Sequence, residues 1–226
     1  MPGTLHIVAT PIGNLQDITL RALGVLRSAD LIVCEDTRVT SKLLAGHDIR
    51  KPLMSLHEHS GEAALAKIIK AIEDGQNVAY VSDAGTPGMN DPGGKLVEAA
   101  FAAGLRVEPI PGASALTAAI SVCGFPMDEF VYLGFVPHKK GRQTMFAEIA
   151  ADKRPCVILE STHRIQKTLE ALAGALDEKR LIFLGRELTK MHETLYHGTC
   201  REVLEKLAET STKGEFTLIV GPKPKR

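Results

Sequence analysis

The sequence predicts an α/β protein built as two α/β domains, and three observations carry that reading. Short β-branched or aliphatic runs alternate with helical stretches through the first half, as in a mainly parallel sheet. The alternation restarts with different punctuation after Gly124. The chain has 226 residues, 44% of them hydrophobic and 24% charged, which is enough apolar content for one large core or two modest ones. A break after Gly112 gives domains of residues 1–112 and 113–226, each of ordinary size.

In chain order, residues 5–9, 31–34, 78–82 and 105–110 are short apolar runs that suit buried strands. Helices are expected at 18–26 after an Asp17 N-cap, at 63–72 after Ser60, and at 96–103 before Gly104 at a C-cap position. In the second half, strands are expected at 130–136, 156–160, 181–186, 194–197 and 216–220. Helices fill 143–151, 163–176 and 201–209. The tail from Gly221 to Arg226 reads as a frayed end.

Composition excludes several classes. Lys plus Arg and Asp plus Glu both total 27, so the chain is not a strongly basic nucleic-acid binder. The charge is segregated: ten basic against thirteen acidic residues up to Gly112, and seventeen against fourteen beyond it. Cys34, Cys123, Cys156 and Cys200 are widely spaced with no Cys-x-x-Cys pair, which argues against a disulfide framework or a zinc site. His57 and His59 lack a third ligand and read as loop residues, so no metal is expected. The first sixteen residues carry no Lys or Arg, unlike a signal peptide. The charge-free window 109–127 is broken by Pro109, Pro111, Gly112, Gly124 and Pro126, so it is not a spanning helix. The expectation is a cytoplasmic protein with no membrane segment.

Chemistry concentrates in three glycine- and proline-rich loops that follow predicted strands. They are Thr10-Pro11-Ile12-Gly13-Asn14-Leu15, Asp83-Ala84-Gly85-Thr86-Pro87-Gly88 with Asp91-Pro92-Gly93-Gly94, and Pro111-Gly112-Ala113-Ser114-Ala115. In a parallel α/β sheet such loops gather at the carboxyl edge, where ligands bind, and glycine lets the backbone approach a ligand closely. Any one of them is equally a tight turn; three at one edge favour a site. None matches the glycine-rich dinucleotide or phosphate-loop fingerprints.

Four segments carry a resemblance: Val8 to Leu15, Cys34-Glu35-Asp36-Thr37-Arg38, Val81 to Pro87, and Ile110 to Ala115. Together with Glu160-Ser161-Thr162-His163-Arg164, Gly185 to Lys190 and Gly214 to Leu218, they resemble the tetrapyrrole-methylase superfamily over nearly the whole chain. The Glu-Asp-Thr-Arg segment is similar to the branch that methylates a decoding-centre cytidine of small-subunit ribosomal RNA on its ribose 2′-oxygen. Members of that branch often continue into a further C-terminal helical segment beyond the position of Arg226.

The resemblance implies a class III methyltransferase fold, with S-adenosylmethionine in a cleft between the two domains of a homodimer. It assigns the cofactor wall to Pro11, Ser82, Asp83, Gly85, Ser114 and Ala115, closed by Glu160, Leu188 and Thr189 from the second domain. A ribose hydroxyl is a poor nucleophile until its proton is lost or shared, so a base or a cation is needed nearby. Asp36 or Glu35 is expected to accept or orient that proton. Arg38 and Lys190 are expected to stabilise the alkoxide or hold phosphates. The competing reading for Asp36 and Arg38 is a pair that only braces its loop.

For RNA, His138-Lys139-Lys140-Gly141-Arg142 is the best local signal, a cationic loop leading into a helix. Lys139, Lys140 and Arg142, with Lys42 and Arg186, are the expected RNA-binding residues. No tryptophan and three tyrosines argue against an extended base-stacking surface, so recognition of RNA shape is expected. Two other classes compete: a methyltransferase for a tetrapyrrole or other small molecule, and a non-enzymatic nucleotide- or RNA-binding module.

Overall fold

The computed structural model describes residues 1–57 and 60–224, and it separates into two compact units, Met1–Ser114 and Ala115–Arg226. The division falls two residues beyond the expected one, so Ala115 opens the second unit as the first residue of a helix. His59, read above as a loop residue, lies outside the described residues.

In the first unit, β1 (Thr4–Val8), β2 (Leu31–Cys34), β3 (Leu53–Ser55), β4 (Val78–Val81) and β5 (Arg106–Ile110) form one parallel sheet in the order β3-β2-β4-β1-β5. Helices α1 (Leu20–Ser28), α2 (Thr37–Ala45), α3 (Glu62–Glu73) and α4 (Gly93–Ala102) connect the strands. Alternation along the strands loads both faces of the sheet. Ile32, Ala79 and Val81 share a buried cluster with Ala22 and Leu26 of α1 and Leu44 of α2. Val33, Val78 and Tyr80 share another with Ile68 and Ile72 of α3 and Leu96 of α4. The connection from β1 runs towards β2, and the one from β4 runs the opposite way to β5. The strand order therefore reverses between β1 and β4, the place where open α/β sheets bind ligands.

The second unit holds α5 (Ala115–Val122), β6 (Val131–Phe135), α6 (Arg142–Ala151), β7 (Cys156–Ser161), α7 (Ile165–Ala175), β8 (Leu181–Arg186), β9 (Thr194–Thr199), α8 (Cys200–Glu209) and β10 (Glu215–Val220). Its sheet is mixed, in the order β6-β7-β10-β8-β9; only β6 and β7 pair in parallel. This register puts the carboxyl ends of β6, β7 and β8 and the amino ends of β9 and β10 at one edge. Phe146 and Ile149 of α6, Leu169 and Leu172 of α7, and Val203 and Leu207 of α8 fill the core under the sheet. α5 packs against β10.

Several elements differ from expectation. Asp17 does not cap α1: it ends a short 3-10 turn capped by Asn14, and Thr19 accepts from Ala22 N–H instead. β3, α2 and α5 were not foreseen. All four cysteines are buried and free. Among the described residues, no helix is long and apolar enough to cross a membrane, and no group of histidine, cysteine and carboxylate side chains is placed to hold a metal.

Candidate active site

At the reversal point of the first sheet, the loops after β1 and β4 are stitched backbone to backbone. Thr10 N–H donates to Gly85 C=O at 2.9 Å, and Gly85 N–H donates back to Thr10 C=O at 3.1 Å. The Thr10 hydroxyl donates to Ser82 C=O (3.3 Å), and the Thr86 hydroxyl donates to Ala113 C=O in the loop after β5 (3.0 Å). All three glycine- and proline-rich loops are thus locked together at one edge. Gly85 has φ +83, and a Cβ there would sit 3.2 Å from Ile12 Cγ2. A Cβ on Gly112 would sit 2.9 Å from Ala9 Cβ, so both positions admit only glycine without movement of their neighbours.

The loop after β2 joins the same edge. Asp83 Oδ1 accepts from Asp36 N–H at 3.0 Å, so the β4 loop carries the turn that starts α2. Asp36 caps that helix by accepting from Arg38 N–H at 2.8 Å, and its two oxygens also take the Arg38 guanidinium, the closest approach being 2.6 Å. The side-chain hydrogen bond from Arg38 is the largest cause holding the Asp36 carboxyl down at about 2. Asp36 is therefore an ionised hydrogen-bond acceptor with little basicity at neutral pH. Arg38 remains largely exposed at 86%, with Lys42 exposed one turn further along α2.

Asp91, quoted above within its loop but given no role of its own, organises the rest of the β4 loop. Its carboxylate accepts from Gly88, Met89 and Gly93 N–H and from the Tyr80 hydroxyl at 3.2 Å. Burial, reinforced by Asp91, pushes the Tyr80 phenol far up, so it stays protonated. The legible signal was the Asp-Pro-Gly-Gly run after a glycine-rich loop.

The second-unit candidates gather at one edge of their own sheet. Leu188 folds over Gly185, whose Cβ would lie 2.9 Å from Leu188 Cδ2. Glu187 and Thr189 both take left-handed backbone (φ 53 and 66), a strain of about 1–3 kcal/mol each that persists where surrounding structure imposes it. The Thr189 hydroxyl oxygen is buried and has no hydrogen-bond partner among the described residues. Lys190 Nζ bridges Glu187 (2.9 Å) and Glu215 (3.0 Å). Burial alone would lower the Lys190 ammonium, but the two carboxylates raise it overall.

Two of the expected site residues are turned inward. Arg186 is not presented to a polyanion: it is 9% exposed and donates to Lys213 C=O (2.7 Å) and His192 C=O (2.9 Å). Glu160 is turned inward in the same way. Its side chain has no exposed surface, and its oxygens take Arg164 Nε at 2.8 Å and the Thr168 hydroxyl at 2.7 Å. Arg142 is half-buried, donating to Thr168 Oγ1 at 2.9 Å and lying over the Phe146 ring. Lys139 and Lys140 are exposed.

The sequence profile of the tetrapyrrole (corrin/porphyrin) methylases matches residues 4–204. Among curated proteins, the ribosomal RNA small subunit methyltransferase I of Xylella fastidiosa is 46% identical, covering 97% of this chain and 81% of its own length. The protein of the same name from Thermotoga maritima is 40% identical, covering 98% and 99%. A solved cobalt precorrin-4 methyltransferase superposes with a TM-score of 0.72 at 16% identity over 96% of this chain and 94% of its own, a likeness of fold. By its profile match and these identities, the chain belongs to the tetrapyrrole methylase family, within the ribosomal RNA small subunit methyltransferase I group.

Proposed function

We propose that this protein methylates the ribose 2′-oxygen of a decoding-centre cytidine in small-subunit ribosomal RNA, working as a homodimer in the cytoplasm. S-adenosylmethionine is the cofactor of its family and supplies an electrophilic methyl group when bound. The residues present fit it. Its sulfonium and ammonium favour carbonyl and carboxylate oxygens, which the β1, β4 and β5 loops and Asp83 offer. Its polar ends need donors and acceptors, which Ser82, Ser114 and the partnerless buried hydroxyl of Thr189 provide. Pro11, Gly85, Ala115 and Leu188 complete the proposed wall, and the buried Glu160 carboxylate is left out of it.

The observation that carries this reading is the Asp83 to Asp36 hydrogen bond, which fixes an arginine-paired carboxylate beside the proposed cofactor loop. In this scheme Asp36, held ionised, accepts a hydrogen bond from the ribose hydroxyl and orients it. Glu35, the neighbouring carboxylate, takes the proton. Arg38 neutralises the developing alkoxide or a flanking phosphate. Lys190, held by two carboxylates, serves as a fixed cation, and Lys42, Lys139 and Lys140 hold RNA phosphates. The chain's part is positioning and exclusion of water.

Transfer of labelled methyl to small subunits lacking the modification tests the proposal, with free ribosomal RNA and a uroporphyrinogen-type tetrapyrrole in parallel. Label on the subunit RNA is the expected result. Label on the tetrapyrrole alone replaces RNA by a small-molecule substrate.

A further inference from the structure

Glu160 is buried, and the scheme proposed above gives its carboxylate no part in methyl transfer. Its carboxylate sits at the end of β7, where Ser161 N–H (2.8 Å), Arg164 Nε (2.8 Å) and the Thr168 hydroxyl (2.7 Å) converge on its two oxygens. From this node two arms reach outward. Arg164 Nη1 donates to Val136 C=O at 2.7 Å, and Arg142 Nη2 donates to Thr168 Oγ1 at 2.9 Å. Val136 and Arg142 are the residues immediately before and after the segment Pro137-His138-Lys139-Lys140-Gly141. Both ends of that five-residue loop are therefore tied to one buried carboxylate. The loop also closes on itself: Gly141 has φ +88, and a Cβ there would lie 3.9 Å from Pro137 Cγ.

We infer that Glu160 is a positioning residue whose function is to hold the Lys139–Lys140 loop in its RNA-binding form. This rests on the proposal that those lysines bind RNA phosphates. An exposed lysine carries large side-chain freedom, and fixing its backbone lowers the ordering cost of a phosphate contact. Removing a partner from a buried ion pair is costly because the other charge is left uncompensated, so the node has a strong reason to stay closed. The planar guanidinium of Arg164 satisfies the Glu160 carboxylate and the Val136 carbonyl at once, a geometry lysine does not have.

A double-mutant cycle tests the inference, using full-length protein and small-subunit RNA lacking the methyl group. Glu160→Gln removes the charge. Thr168→Val, close in shape, cuts the Arg142 arm together with the hydroxyl's own bond to Glu160, leaves the Glu160–Arg164 pair in place, and guards against a Glu160 variant that fails to fold. Each change is expected to weaken RNA binding about fivefold to tenfold at unchanged S-adenosylmethionine affinity. Each should also speed tryptic cleavage after Lys139 and Lys140, the direct readout of a released loop. In a background already carrying Lys139→Ala and Lys140→Ala, neither change should weaken RNA binding further. An equal RNA loss in both backgrounds overturns the inference, because the effect then spreads through the unit. So does a loss of S-adenosylmethionine affinity with an unchanged tryptic rate, which returns Glu160 to the cofactor. If Lys139→Ala with Lys140→Ala leaves RNA affinity unchanged, the RNA reading of the loop fails instead, whatever the tryptic rates show.

Discussion

The two sheet edges that hold the candidate residues are built from different materials. At the first, every join ends on a peptide group: Thr10 with Gly85 through backbone alone, the Thr86 hydroxyl on Ala113 C=O, and the Asp83 carboxylate on Asp36 N–H. At the second, loops are held by charged side chains: Glu160 with Arg164, Arg186 on two carbonyls, Lys190 between two carboxylates. Peptide groups and glycines give close approach to a ligand with no titrating parts. Charged side chains give reach and a field for a polyanion, at the cost of desolvating each ion. The first edge should therefore be intolerant of added volume and the second of lost charge.

The largest effect expected from that contrast is at Gly85. Gly85→Val places a β-branched side chain at φ +83 against Ile12, and methyl transfer should fall on the order of a hundredfold through misplacement of the loop. Isothermal titration with S-adenosylmethionine should show weaker binding alongside. At the second edge the counterpart is Arg186→Met, which strips hydrogen bonds from Lys213 and His192 carbonyls. Denaturant unfolding should report a loss of about 2 kcal/mol, with little change in the cofactor affinity that the first-edge loops provide.

Asp83→Ala is next. It removes the acceptor for Asp36 N–H, so turnover should drop about tenfold while stability changes by no more than about 1.5 kcal/mol. Lys139→Ala with Lys140→Ala should act only on RNA. If each lysine neutralises one phosphate of a single strand, the slope of log affinity against log salt should shrink by about 1.4. An unchanged slope would make that loop a solvated surface.

The smallest effect is on pH. Arg38 depresses the Asp36 carboxyl to about 2, so the pair's contribution is fully present above the ordinary carboxylate range near 4 and is lost as pH falls through about 2. A carboxyl-carbon titration should put the Asp36 midpoint there, and Arg38→Ala should return it towards 4.

The strands were largely legible, because buried strands of either sheet are short apolar or β-branched runs, and each expected one lies within one or two residues of its observed bounds. β3 was not: three residues, all half-buried, after Pro52 leave no periodicity to read. α2 escaped because Thr37, Val39 and Thr40 are weak helix formers, and its start depends on the Asp36 cap rather than on propensity. At the site, the three loops were visible as glycine and proline clusters. Their mutual locking was not, since Thr10 and Gly85 are 75 positions apart. The fate of Arg186 and Glu160 was equally hidden, because a charged residue's type says nothing about whether it faces solvent or a buried partner.

The most direct test of the central claim is to locate the methyl group on small-subunit RNA by alkaline cleavage, because a 2′-O-methyl ribose cannot attack its own phosphate. The account predicts resistance to cleavage at one cytidine of the decoding centre, present with the wild-type protein and lost with Asp36→Ala. Methyl incorporation with an unbroken cleavage ladder would place the group on a base and contradict it.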